Sequence, residues 1–137
     1  DQDGSLKSVC KTQSLLYDFF SLLYSNNNKK SFPDPITSAK KIIKYNYNSD
    51  LCVNAIAKSL FLDSAYFSRL FRKEVGISPK KYILNLRLKK AKKLLKKSEY
   101  SIKEIALTTG FKDPLYFSKI FKDKTGVPPS EYKKAYK

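Results

Sequence analysis

An internal repeat of about 50 residues limits the folds open to this chain more than any other property of its sequence. The pair Ile56-Ala57 recurs as Ile105-Ala106, at an offset of 49 residues. In the following stretch the offset is 50, and the residues that recur are Tyr66, Phe67, Ser68, Phe71, Gly76, Pro79 and Tyr82. The matches stay in register except for one extra residue, and that residue falls where a turn is expected. The two segments are therefore interpreted as copies of one structural unit.

The apolar residues of both copies recur at helical spacing, and strand-like alternation is absent from the sequence after residue 34. An additional helix is predicted at residues 5–25, where Leu16, Phe20 and Leu23 share one face. We therefore predict an all-α fold. The seven helices predicted after residue 34 lie at residues 35–46, 53–60, 64–75, 79–97, 102–109, 114–125 and 129–136.

The second copy carries the local signals of a helix-turn-helix, in which two short helices are joined by a tight turn. Ser101 and Glu104 have the spacing of a capping box and start the first helix. Gly110 permits the turn, and Asp113 caps the second helix. We expect this second helix to bury Phe117, Ile120 and Phe121, which leaves Leu115, Ser118, Lys119 and Lys122 on its outer face.

The first copy follows the same plan with two differences, and Asp63 caps its second helix. Cys52 stands where Ser101 caps the second copy, so the first copy lacks a capping box. Phe61 stands where Gly110 makes the turn, which leaves the form of the first turn open. The residues expected in its core are Val53, Ile56, Ala57, Phe67, Leu70 and Phe71.

The predicted helix at residues 79–97 connects the two copies. At about 1.5 Å per residue it would form a rod of roughly 28 Å. Successive major-groove segments on one side of B-DNA lie about 34 Å apart, so this helix could hold two reading helices near that separation. Its expected core anchors are Tyr82, Ile83, Leu86, Leu94 and Leu95.

The net charge predicts a polyanionic partner. Lys and Arg total 28 against 12 Asp and Glu, which gives a formal net charge of +16 at pH 7. Nucleic acid is the first candidate and an anionic membrane surface the second, and charge alone does not separate them. The only arginines are Arg69, Arg72 and Arg87. These rare arginines are more informative about recognition than the abundant lysines, because the guanidinium fork suits bidentate recognition of a base edge.

Other functional classes lack the residues that they need. The chain has no histidine, and its two cysteines, Cys10 and Cys52, are far apart. We therefore expect no catalytic site, no metal site and no cofactor. No apolar run approaches the roughly 18–20 residues that span a bilayer, and no signal peptide is evident. We expect a cytoplasmic protein that has no membrane partner.

The sequence after about residue 36 resembles the DNA-binding domain of the AraC/XylS family of transcriptional regulators. The second copy carries the resemblance best, in Ile105-Ala106, Gly110-Phe111, residues 116–122, Gly126-Val127-Pro128-Pro129 and Tyr132. The resemblance implies a domain of seven helices, in which a long linker helix joins two tandem helix-turn-helix subdomains. It also places the first helix-turn-helix at about residues 52–76 and the second at about residues 101–126.

The base-reading positions of the family correspond here to two triplets: Ala65, Ser68 and Arg69 in the first copy, and Leu115, Ser118 and Lys119 in the second. An arginine on such a face suits the edge of a guanine, while Ala65 and Leu115 could touch a thymine methyl group or act as spacers. Neighbouring cations are expected to contact phosphates instead, and these are Arg72, Lys73, Lys80, Lys81 and Lys122.

We expect residues 35–137 to form the DNA-binding domain. The chain begins at Asp and contains no Met, and members of this family usually carry a separate sensing or dimerising domain. We therefore expect such a domain to precede the chain, with its last helix and a linker in residues 1–34. Pairing of the apolar N-terminal helix with a second copy of itself is the alternative.

The expected function is regulation of transcription by sequence-specific binding to double-stranded promoter DNA. The family resemblance favours activation over repression and implies RNA polymerase as a partner. A nonspecific architectural protein that binds nucleic acid through its charge is the alternative.

Overall fold

A computed structural model of the chain describes residues 34–137. It contains seven helices, α1 (Pro35–Asn46), α2 (Val53–Ser59), α3 (Ser64–Val75), α4 (Pro79–Lys97), α5 (Ile102–Thr108), α6 (Pro114–Thr125) and α7 (Pro129–Ala135). Their bounds agree with the predicted bounds to within one residue, and the predicted all-α fold is confirmed for this part of the chain. The helix predicted at residues 5–25 lies outside the described residues.

The described residues divide into two compact units, each of which contains one helix-turn-helix. Unit 1 comprises residues 34–45 and 51–81, with its helix-turn-helix in α2 and α3. Unit 2 comprises residues 46–50 and 82–137, with its helix-turn-helix in α5 and α6. The last residue of α1 and the loop after it, residues 46–50, therefore belong with the second unit.

Side-chain caps fix where most of these helices start. The Asp63 carboxylate accepts a hydrogen bond from the Tyr66 amide at 3.1 Å, and Asp113 accepts one from the Leu115 amide at 2.9 Å. At the start of α5, the Glu104 amide donates to Ser101 Oγ and the Ser101 amide donates to the Glu104 carboxylate. These bonds satisfy amides that would otherwise lack a partner in the first turn, and the predicted caps are confirmed.

The inner faces of both recognition helices are aromatic. Phe67 and Phe71 of α3 are fully buried with their ring centroids 5.7 Å apart, and Phe117 and Phe121 of α6 are fully buried at 5.6 Å. In unit 2, Phe117 and Phe121 belong to a core that also contains Leu88, Ala91, Leu95, Ile105, Ala106 and Phe111. A Phe-to-Ala change in such a core costs about 3–5 kcal/mol, so these rings fix which face of each helix points outward.

Several side chains expected to face the core are only half-buried; of these, Leu94 and Ile120 pack against the core of unit 2. The spacing of apolar residues identifies the side of the helix that faces the core, but it does not separate the centre of that side from its margins. The half-buried residues are Val53, Leu70, Tyr82, Leu86, Leu94 and Ile120.

The two helix-turn-helix units make the same turn. The Leu62 amide donates to the Ala57 carbonyl at 2.9 Å, and in unit 2 the Phe111 amide donates to the Ala106 carbonyl at 2.9 Å. This bond from the sixth residue to the first closes a helix end when the residue just before the donor has a left-handed backbone conformation. Gly110 takes that position with φ of 95°, and Phe61 takes it in unit 1 with φ of 57°.

We expect replacement of Phe61 by glycine to stabilise unit 1 by about 0.5–1 kcal/mol. A residue with a Cβ atom pays roughly 1–2 kcal/mol for the left-handed conformation, and the greater freedom of glycine in the unfolded chain offsets part of that gain. The Phe61 side chain is 80% exposed, so little packing is lost. Thermal unfolding followed by circular dichroism measures the change.

Phe61→Ala is the matched control, because it removes the ring and keeps the left-handed strain. We expect it to unfold at about the wild-type temperature. An equal midpoint for the glycine and alanine variants would show that strain at this turn does not limit stability.

Candidate nucleic-acid interface

The outer face of α3 is polar and positively charged. Ala65 and Arg69 are exposed and Ser68 is partly exposed, while the ring of Phe67 between them is fully buried. Residues 65, 68 and 69 follow the spacing i, i+3 and i+4, which places them on one side of the helix. The structure thus brings the first predicted triplet together at the N-terminal end of α3.

The outer face of α6 has the same arrangement with different chemistry. Leu115 and Lys119 are exposed and Ser118 is partly exposed, again on the side opposite the buried Phe117 and Phe121. The structure therefore brings the second triplet together on the outer face of α6, in its N-terminal half.

The cations around these faces are solvent-exposed and suited to phosphate contact. In residues 34–137 the ion pairs are Lys112–Asp50 at 2.9 Å and Lys137–Glu99 at 3.0 Å, and neither uses a cation of α3 or α6. Exposed ion pairs of this kind add little to stability. The residues expected to contact phosphate are all exposed: Arg72, Lys73, Lys80, Lys81 and Lys122.

Arg87 does not belong to either outer face, because it lies on α4 and not on α3 or α6. Its Nε donates to the Tyr47 carbonyl at 2.7 Å and its terminal nitrogen donates to the Ser49 carbonyl at 3.0 Å. Partial burial lowers the pKa of the Arg87 guanidinium, and the nearby Asp50 carboxylate opposes that shift. Arg87 therefore holds the loop at residues 46–50 inside unit 2.

This loop also explains why the second turn requires glycine. A Cβ atom at position 110 would lie 2.6 Å from the Tyr47 carbonyl oxygen and 2.8 Å from Arg87 Nε. Sequence reasoning missed this site, because Arg87 and its partners are about 40 residues apart and no local pattern links them.

Two other kinds of site find no support among the described residues. Within residues 34–137 no His, Cys, Asp or Glu side chains are grouped so that three or more could bind a metal ion. None of the helices in this range combines the length and apolar character that crossing a membrane requires.

Comparison with known proteins gives the same fold and assigns the chain to a family. The family described as "Helix-turn-helix domain" matches residues 56–135. The chain is 40% identical over 101 residues to the Msm operon regulatory protein of Streptococcus mutans, an alignment that covers 74% of this chain. The chain spans only 36% of the length of that relative.

Two solved structures show the architecture at similar identity. The DNA-binding domain of AdpA, a global transcriptional factor solved in complex with a target DNA, has a TM-score of 0.71 and is 27% identical. The match covers 75% of this chain and 93% of that one. A transcriptional regulator of the AraC type from Chromobacterium violaceum has a TM-score of 0.68 at 29% identity, covering 74% of this chain and 91% of the other. The chain belongs to the AraC family of helix-turn-helix transcriptional regulators.

Proposed function

We propose that this domain binds double-stranded DNA in a sequence-dependent way, with α3 and α6 each entering one major-groove segment. The observation that carries the proposal is the repeated geometry of the two helices. Each one buries two phenylalanines completely and turns outward, in its N-terminal half, a triplet made of one apolar residue, one serine and one cation. The second helix of a helix-turn-helix reads base edges with its N-terminal residues.

The residues on these faces have separate roles in the proposal. Arg69 reads a guanine edge through its two parallel donors, and Lys119 makes the corresponding contact with a less directional ammonium group. Ser68 and Ser118 allow the helix to approach the bases and bond to them. The exposed cations at positions 72, 73, 80, 81 and 122 neutralise phosphates and set the register of the domain on DNA.

The two reading helices imply a composite binding site. A domain that presents one reader from each helix-turn-helix requires two short boxes, and we expect their centres about one turn of B-DNA apart. The formal charge of +16 adds a sequence-independent attraction that weakens steeply with salt.

The biological role that we infer is regulation of promoters in the bacterial cytoplasm, as an activator that contacts RNA polymerase. Support comes from the family, and from a relative that bears the name of an operon regulatory protein. A domain that senses an effector or dimerises would accompany this one in the whole protein. A nonspecific architectural role stays as the alternative, since the charge alone would support it.

Selection of bound duplexes from a random DNA pool at near-physiological salt tests the proposal. We expect a consensus of two boxes about one helical turn apart. Enrichment without any consensus would contradict sequence-dependent binding and would favour the architectural alternative.

Two single variants separate base reading from phosphate binding. We expect Arg69→Ala to relax preference at one base pair of one box, with a loss of discrimination of about 1–3 kcal/mol. Lys81→Ala should weaken binding to all duplexes alike and reduce the salt dependence by about one phosphate contact. Fluorescence anisotropy at several salt concentrations, with matched and single-mismatch duplexes, measures both effects. A uniform loss of affinity for both variants would show that Arg69 does not read a base.

A further inference from the structure

The two recognition helices have the same length and each buries a pair of phenylalanines, but their outer faces differ in chemistry. At the second residue of the helix, α3 has Ala65 and α6 has Leu115. Four residues later, α3 has Arg69 and α6 has Lys119. The first face therefore offers a rigid fork of hydrogen-bond donors, whereas the second offers a branched apolar group beside a flexible ammonium.

Leu115 does not belong to the core of unit 2. Its side chain is 81% exposed, although the same helix buries Phe117 and Phe121 completely. Scattered exposed leucines are common on protein surfaces, so exposure alone indicates nothing. The position of Leu115 is what matters, because it lies in the first turn of the helix proposed to read bases.

The backbone around Leu115 leaves only its isobutyl group to contact DNA. The Leu115 amide already donates to Asp113 Oδ1 at 2.9 Å, so it is not available to a base or a phosphate. An isobutyl group neither donates nor accepts a hydrogen bond. Among the groups that base pairs present in the major groove, only the C5-methyl of thymine offers it a favourable apolar contact.

We propose that α6 selects thymine through contact between Leu115 and the C5-methyl group, while α3 selects guanine through Arg69. This inference rests on the proposed function, since it assumes that both outer faces meet the major groove. It makes the two boxes chemically unequal, with a required guanine in one and a required thymine in the other. Lys119 is compatible with this choice, because its rotatable donors can reach O4 of thymine as well as the acceptors of a purine.

Substitution of deoxyuridine for thymidine tests the proposal directly, because uracil pairs as thymine does and lacks only the methyl group. The probe is the duplex selected from the random pool, made with one thymine replaced at a time in each box. For the wild-type chain we expect replacement at one position of the α6 box to weaken binding about three- to tenfold. Replacements in the α3 box should leave the affinity within about twofold.

The variant Leu115→Ala gives α6 the residue that α3 carries at this place. Because Leu115 is exposed, the variant should fold as the wild type does. We expect it to bind the thymine and uracil duplexes equally. The matched control is Leu107→Ala, which removes another exposed leucine from α5 and should keep the full sensitivity to the methyl group.

The outcomes separate this inference from the proposed function. A two-box consensus together with equal binding of thymine and uracil duplexes would overturn the role of Leu115 and leave sequence-dependent binding intact. A methyl effect that persists in Leu115→Ala would assign the contact to another residue and would also overturn it. Selection without any consensus would overturn both.

Discussion

Replacement of Gly110 by alanine is expected to destabilise unit 2 by about 3 kcal/mol or more. Two effects add at this position. A Cβ atom makes the left-handed conformation, here with φ of 95°, costly by roughly 1–2 kcal/mol. The same atom would lie 2.6 Å from the Tyr47 carbonyl oxygen, which is a backbone atom that cannot move without displacing the loop at residues 46–50. Displacement of the loop would weaken the hydrogen bonds that Arg87 donates to it.

Gly76→Ala is the control that isolates the contact from the backbone conformation. Gly76 also ends its helix in the left-handed region, with φ of 90°, but a Cβ atom there would meet nothing within 4 Å. We expect this variant to lose only about 0.5–1 kcal/mol, because the lower freedom of alanine in the unfolded chain offsets part of the roughly 1–2 kcal/mol backbone term. Urea unfolding of the two variants gives both free energies. Equal losses would show that the loop does not press on the second turn.

The positions of the helices could be predicted because their signals are local. Asp63, Ser101 and Asp113 each act on amides two or three residues away, so the start of a helix is visible in a short stretch of sequence. The internal repeat then supplied the pairing of the helices into two similar units. The orientation of α3 and α6 followed from their phenylalanines, since fully buried rings leave only one face to solvent.

The interactions that could not be predicted join residues far apart in the chain. Arg87 bonds to carbonyls about 40 residues earlier, and Lys90 lies over the ring of Tyr47 at 5.5 Å. Composition marks arginine as a rare residue, but it does not distinguish an arginine that binds a loop from one that faces solvent. The repeat aligns Phe61 with Gly110, but it left the backbone conformation of Phe61 open, because glycine is the residue that normally indicates a left-handed turn.

The candidate site was predictable in its placement but not in its chemistry with DNA. Helical spacing set Ala65, Ser68 and Arg69 on one face, and the structure shows that face exposed. Which base each residue meets depends on how α3 enters the groove, and that is determined by the complex rather than by the chain.

Replacement of Arg87 by methionine is expected to destabilise unit 2 by about 2 kcal/mol. Methionine keeps most of the apolar stem and removes both donors, so the Tyr47 and Ser49 carbonyls lose their partners. Hydrogen bonds from a charged donor contribute about 1.5–3 kcal/mol each, and the Ser49 bond counts for less because it is exposed. Arg87→Lys should recover less than half of the loss, because an ammonium group does not present two donors in a fixed fork.

Arg72→Met is the matched control, because Arg72 is an exposed arginine on the outer side of α3. We expect this variant to change the free energy of unfolding by less than about 0.5 kcal/mol.

The sharper measurement is a double-mutant cycle that combines Arg87→Met with Gly110→Ala. A Cβ atom at position 110 meets Arg87 Nε at 2.8 Å, so part of the damage done by the alanine requires the arginine to be present. The combined loss for Arg87→Met and Gly110→Ala should therefore fall short of the sum of the single losses by about 1 kcal/mol. Strict additivity would mean that Arg87 and the second turn stabilise unit 2 independently, with no coupling free energy between them.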